Sequence, residues 1–142
     1  MIAVDTNLLV YAQREGAAQH RLARRALERA SADSRGWGIP LPCIAEFWCV
    51  VTHPASSGGP SPVSQARGFL RALVVDGGAS IWTPGAGMWE RLTQLASEMK
   101  ITGARVFDLQ IALTALENGA TELWSHDRGF AGLPGLLVRD PL

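Results

Sequence analysis

Three apolar residues, Ile2-Ala3-Val4, give way abruptly to Asp5-Thr6-Asn7, and the chain then resumes as Leu8-Leu9-Val10. A short apolar run with β-branched members reads as a strand buried in a parallel sheet. Asp5 therefore falls where that strand stops and a helix starts. In open α/β sheets, ligands bind at the carboxyl ends of strands. A carboxylate at that place, preceded only by apolar sequence, is a candidate site residue and needs partners from elsewhere in the chain.

The rest of the sequence alternates in the same way. Helical signals cover about 7–13, 17–32, 42–51, 61–74, 88–99 and 105–118. Short strand signals fall at Gly36–Ile39, Ser80–Thr83, Glu122–Ser125 and Leu136–Val138. In the second helix Leu22, Ala23, Ala26, Leu27 and Ala30 form an apolar stripe, and Arg21, Arg25, Glu28 and Arg29 face away. Ser61-Pro62 reads as an N-cap with proline at the first helical position. It opens a helix striped by Val63, Ala66, Leu70, Leu73 and Val74. Residues 53–61 are rich in Gly, Ser and Pro and form a surface loop, and Gly119 closes the last helix. Strands alternating with helices predict an α/β fold: an α/β/α sandwich around a parallel sheet of about five strands.

The 142 residues suffice for one domain, spanning 1–142, with a real core. Apolar residues are 47% and charged residues 18%, a globular rather than disordered balance. Thirteen Lys and Arg offset thirteen Asp and Glu, so any nucleic-acid binding must come from a local patch. No apolar run is long enough for a membrane span and no secretory leader is evident, which makes the cytoplasm the expected location. Cys43 and Cys49 fall on one helix about 9 Å apart along its axis, too far for a disulfide. Both are expected to be buried free thiols.

Most of the thirteen acids fit solvated faces or loops, but Asp5, Glu46, Asp108 and Asp127 do not. Glu46 is the single charge in the apolar helix Leu41–Val51, and a carboxylate there is costly unless paired with a cation; the plainer reading turns it to water or to an arginine. In the helix beginning near Arg105, Gln110, Thr114 and Glu117 make one polar stripe. Asp108, about 160° from that stripe, faces the core side near the helix N-terminus, where the dipole favours a negative charge. The plainer reading makes it a cap or a partner of Arg105. Asp127 follows the strand Leu123-Trp124 as Asp5 follows Val4, or else it is simply a turn aspartate. Together, the acids at strand ends and on core-facing helices are expected to share one crevice. Carboxylates that close raise each other's pKa unless a cation intervenes. An all-carboxylate set without a Cys/His cluster suits Mg²⁺ or Mn²⁺ rather than Zn²⁺. Such a site serves displacement at phosphorus by metal-activated water.

These residues resemble the PIN-domain family. Val4-Asp5-Thr6-Asn7, Glu46 in its apolar helix, Phe107-Asp108-Leu109-Gln110-Ile111-Ala112 and Ser125-His126-Asp127-Arg128-Gly129-Phe130 carry the resemblance, in order and across the whole chain. It implies a Mg²⁺-dependent endoribonuclease, and the compact length is similar to the toxin of a VapBC-type toxin–antitoxin pair. Asp5, Glu46, Asp108 and Asp127 would be the metal-binding, catalytic acids. Ser125, with Thr6 or Asn7, would orient them by hydrogen bonding. The resemblance also implies homodimers and a cognate antitoxin that covers the site.

Arg128 could grip an RNA phosphate or form an ion pair. His126 is expected to pack rather than to touch substrate. Arg14, Arg21, Arg24, Arg25, Arg29 and Arg35 could form an RNA-facing patch or a solvated face. Trp37, Trp48, Trp82, Trp89 and Trp124 are expected in the core rather than as stacking platforms. Two other functions fit less well. One is a PIN-like module that binds RNA or protein with little turnover, which the intact acid set argues against. The other is an aspartyl-phosphate phosphatase, whose chemistry wants a second acid where Asn7 stands.

Overall fold

The computed structural model describes residues 1–130 and 132–142. β1 (Ile2–Val4) leads into α1 (Thr6–Gln13) and α2 (His20–Ser31), then β2 (Trp37–Pro40), α3 (Leu41–Thr52) and α4 (Val63–Val75). β3 (Ser80–Trp82), α5 (Met88–Glu98), α6 (Arg105–Glu117), β4 (Glu122–Trp124) and β5 (Leu137–Arg139) complete the chain. The sheet order is β3-β2-β1-β4-β5, and every pairing is parallel. This is the α/β architecture with five parallel strands that the alternation predicts. The chain walks outward from β1 to β3 and then returns to the other side of β1 through α5 and α6. Right-handed crossovers in both directions place helices on both faces of the sheet. The reversal leaves its crevice at the carboxyl ends of β1 and β4, the place where such sheets take ligands.

β1 supplies the middle of the core, with Ile2, Ala3 and Val4 fully buried. Glycine at 38 is required by packing. A Cβ there would stand 2.4 Å from the Trp82 indole, so the ring of β3 lies directly on the backbone of β2. At the far end of α6, Gly119 takes φ +85, the left-handed conformation that ends a helix without a Cβ clash.

Several expectations are revised. Leu22 is exposed, because α2 turns only Ala23, Ala26, Leu27 and Ala30 inward. Ser61 does not cap α4; its hydroxyl accepts from Gln13 Nε2 at 2.9 Å and ties the loop to α1. In α4 only Ala66 is buried, and Val63 and Val74 of the predicted stripe are exposed, since α4 touches the body along a narrow line. Thr114 is fully buried, its hydroxyl bonded to the Gln110 carbonyl at 2.8 Å. The polar stripe drawn through it is therefore broken at Thr114, with Gln110 half-buried and Glu117 exposed, and α6 is covered on most sides. Cys49, Trp48 and Trp89 are exposed rather than core, whereas Cys43, Trp37 and Trp82 are buried.

The arginines between 14 and 35 are partly structural. Arg14 holds the 53–61 loop through the Val51 and Gly59 carbonyls and the Ser56 hydroxyl. Arg29 reaches the Pro141 carbonyl and lies over the Trp124 ring. Arg35 meets Asp33 at 2.8 Å and Glu122 at 2.7 Å. Glu122, buried at the start of β4, also accepts from Trp124 Nε1 at 3.1 Å. The Arg35 guanidinium is the chief cause holding its carboxyl below the usual glutamate range.

That pairing yields a test with a defined sign. Arg35→Met leaves a buried carboxylate short of its main donor, with only Arg139 at 3.5 Å still facing it as a cation, and is expected to lower stability at pH 7. An acid with a depressed folded pKa stabilises above its ordinary value, and the contribution fades as pH falls through the folded one. Urea midpoints of parent and variant should therefore differ most at pH 7 and converge below the ordinary Glu value of 4.5. A gap that does not change with pH would contradict this.

Candidate active site

Asp5 is the fixed point of the cleft. It is the N-cap of α1 and only 5% exposed. Its Oδ1 accepts the Thr6 N–H at 2.7 Å. Its Oδ2 accepts from the Ser125 hydroxyl at 2.6 Å and from Asn7 Nδ2 at 2.7 Å. Asn7 Nδ2 also donates to Ser125 Oγ at 2.9 Å, and Asn7 Oδ1 accepts the His126 N–H at 3.0 Å. Asp5, Asn7 and Ser125 thus form one network that joins the end of β1 to the end of β4. The backbone does the same: the Asp5 N–H donates to the Trp124 carbonyl at 3.0 Å.

Thr6 extends the network to α3, its hydroxyl donating to Glu46 Oε2 at 2.6 Å. Glu46 is half-buried and has no arginine partner among the described residues. Asp108 lies in the first turn of α6, half-buried, and does not cap it, since Ala104 holds the cap position. Asp127 is exposed; its Oδ1 accepts the Gly129 N–H at 2.7 Å, and its own N–H donates to Ser125 Oγ at 3.1 Å. It is thus a turn aspartate and a neighbour of the Asp5 network at once.

Asp5, Glu46, Asp108 and Asp127 line one cleft of about 290 Å³, with Thr6, Asn7, Val10, Tyr11 and Val50. The acids come from β1, α3, α6 and the turn after β4. Among the described residues no group of three His, Cys, Asp or Glu side chains is gathered tightly enough to hold an ion by itself. Carboxylates with no cation between them repel, and these surround the cleft without touching. The donor set nevertheless fits a hard divalent cation, which takes one or two carboxylates and completes its shell with water and substrate phosphate oxygens. Asp108 has no hydrogen-bond donor among the described residues, and Glu46 has one donor, at Oε2, so oxygens remain to ligate. The single thiol near the cleft, Cys43, is fully buried with Sγ 4.0 Å from Asp5 Oδ1. Burial first, and then the Asp5 charge, push its pKa up and keep it a thiol, which removes a soft ligand.

The electrostatics show the strain of this gathering. Burial pushes Asp5 up to about 6, against the Ser125 and Thr6 hydrogen bonds, which pull it down; Glu46 and Asp108 add to the rise. Asp108 is also raised, by burial first and by the Asp127 charge second, with Arg105 opposing. Both oxygens of Asp5 carry hydrogen-bond donors, which makes it a poor free nucleophile and disfavours a phosphatase through Asp5.

His126 packs edge-on to Tyr11, ring centroids 5.9 Å apart, and its Nδ1 meets Asp140 at 2.9 Å. Arg128 is exposed and lies outside the cleft lining. The sequence did not single out Tyr11, and it offered Arg105 only as an alternative partner for Asp108. Tyr11 stands four residues after Asn7 on α1, a spacing that sets both on one face. Arg105 donates to the Gly129 carbonyl and so braces the turn that carries Asp127.

A PIN domain profile matches residues 2–136. Ribonuclease VapC43 of Mycobacterium tuberculosis is 38% identical over 142 residues, covering 100% of this chain and 96% of that protein. A toxin–antitoxin complex from Klebsiella pneumoniae superposes with TM-score 0.67 at 25% identity, covering 100% of this chain and 98% of that one. The crystal structure of M. tuberculosis VapC20, a sarcin–ricin loop cleaving toxin, gives TM-score 0.69 at 15% identity, with 92% of each chain covered. At that identity VapC20 speaks for the fold alone.

Two measurements test the Asp5 network. Removing the Ser125 hydroxyl takes away the strongest influence that lowers the Asp5 pKa. In Ser125→Ala, stripped of divalent ions, the carboxyl ¹³C titration of Asp5 should move upward from about 6; an unmoved midpoint would count against the network. Folded Asp5 also holds its proton to higher pH than the unfolded chain, whose value is near 3.8. Deprotonation therefore opposes folding, and stability declines as pH rises from about 4 to about 6, by up to about 3 kcal/mol. In EDTA, Asp5→Asn should gain on the parent across that interval, and a constant difference would refute the assignment.

Proposed function

The chain belongs to the PIN-domain family and to its VapC branch, and on that premise we propose that it is a Mg²⁺-dependent endoribonuclease, with Mn²⁺ an effective substitute. The observation that carries this reading is the shared cleft: Asp5, Glu46, Asp108 and Asp127, from four separate elements, line it together at the carboxyl edge of the sheet. They are the residues proposed to hold the metal. When bound, a divalent cation supplies Lewis-acid charge at the scissile phosphate and makes water a better nucleophile.

The chain's own part is positioning and proton handling. Thr6, Asn7 and Ser125 fix the Asp5 carboxylate so that little reorganisation is needed when charge develops. Thr6 does the same for Glu46. Asp5 and Asp108, raised in the cation-free cleft, would be held ionised by a bound cation, and Asp108, which carries no hydrogen-bond donor among the described residues, has oxygens free to accept a proton from water. Asp127 is the most exposed of the four acids, the one a polynucleotide arriving from solvent would meet first.

The partners in this reading are an RNA substrate, a cognate antitoxin, in keeping with the toxin–antitoxin complexes among structural relatives, and a second copy in a homodimer. No helix among the described residues is long and apolar enough to cross a membrane, which accords with the cytoplasm as the place of action.

Asp5→Asn and Asp108→Asn should each lower RNA cleavage by about 100-fold or more, and chelation of divalent ions should abolish it. Millimolar Mg²⁺ or Mn²⁺ should raise the melting temperature of the parent, and less so that of Asp5→Asn, through ligand linkage and relief of repulsion. Variants that cut at the parent's rate would overturn the metal site, and a parent that binds RNA without cutting it would leave a binding module.

A further inference from the structure

Next to the acid cleft the surface turns apolar. The Phe107 ring is 52% exposed, one residue before Asp108. It lines a groove of about 420 Å³ with Leu41, Pro42, Ala45, Pro84 and Gln110. Leu41 is 43% exposed as well. Glu46 belongs to the walls of both the groove and the acid cleft, so the two are continuous. Leu41 follows the end of β2 and Pro84 follows the end of β3. The groove therefore occupies the same carboxyl edge of the sheet as the acids.

The chemistry of its walls is specific. Among the described residues no cationic side chain lines it, so it is not built for phosphate. Gln110 uses its backbone carbonyl for Thr114, while its side-chain amide, with donors and an acceptor, has no partner among the described residues. A flat apolar ring with one amide beside it matches a nucleobase, which offers a π face and a polar edge. A protein face could also cover Phe107, but it would have to bring its own cation to the Glu46 carboxylate that it buried. A polynucleotide seated on the acids, in contrast, reaches both places with one chain.

We propose that this groove takes the unpaired base adjoining the scissile phosphate of the RNA, stacked on Phe107, with its edge read by the Gln110 amide. The assignment rests on the reading that the acid cleft cuts RNA. It makes Phe107 and Gln110 the residues that select sequence at that one position.

The test uses an oligoribonucleotide that the parent protein cuts, together with versions carrying a single abasic site at each position near the cut. The parent should lose about 5- to 100-fold in kcat/KM at one adjoining position. Phe107→Ala should lose a similar factor on intact RNA and show no further loss on that abasic substrate. Phe107→Tyr should restore both the rate and the discrimination, and Gln110→Ala should flatten the preference among the four bases there. Because Phe107 is exposed, unchanged circular-dichroism melts are expected. A Phe107→Ala protein that cuts intact RNA at the parent's rate, or still discriminates by the full factor, overturns the proposal. So does a variant altered only in its sedimentation mass, which would assign the face to a contact between copies. If the parent cuts no RNA with Mg²⁺ present, the ribonuclease reading fails and this one with it; if the parent cuts and Phe107→Ala is indifferent, only the base groove fails.

Discussion

Gathering negative charge at one edge of a sheet is unfavourable, and the architecture of this protein is arranged around making it tolerable at Asp5. The carboxylate is almost fully buried, yet it is met by the Thr6 N–H, the Asn7 amide and the Ser125 hydroxyl. Charge-assisted hydrogen bonds of this kind offset much of the desolvation that raises its pKa. The same donors come from two neighbouring strand ends, so satisfying the charge also locks β1 to β4. Glu46 is drawn in through Thr6, and Asp127 through the N–H it gives to Ser125. The residual strain, visible in the raised Asp5 and Asp108, is what a divalent cation would relieve.

Much of this was legible in the residues because it depends on short-range rules. An apolar run that stops at Asp5, and another that stops just before Ser125 and Asp127, mark strand ends whatever the rest of the fold does. The alternation of strands and helices then leaves few topologies, and the sheet order β3-β2-β1-β4-β5 puts those two ends side by side. Glu46 stood out because a lone charge in an apolar helix needs a reason. Asp108 came to the cleft even though the polar stripe used to orient it was misread. Thr114 is buried with its hydroxyl returned to the Gln110 carbonyl, so the middle of the face assigned to water belongs to the core, while Gln110 is half-buried and Glu117 exposed.

What was not legible depends on how far each helix is covered, a tertiary property. Leu22, Val63 and Val74 sit at apolar positions of regular stripes, yet their helices touch the body over narrower arcs than those stripes suggest. Trp48, Trp89 and Cys49 have core-like composition and surface positions. Arg14 and Arg35 looked like members of a basic patch, but one stitches a loop and the other neutralises the buried Glu122. Charge in sequence does not reveal whether its partner lies forty or ninety residues away.

The central question is whether the cleft lined by Asp5, Glu46, Asp108 and Asp127 binds a divalent cation. The direct measurement is anomalous diffraction at the manganese edge from crystals grown with Mn²⁺. A peak is expected inside the cleft, with oxygen ligands about 2.0–2.2 Å away that include at least one of these carboxylates, and it should be lost in Asp5→Asn. A fully ordered cleft without a peak at millimolar Mn²⁺, or a peak held only by residues elsewhere, would contradict it.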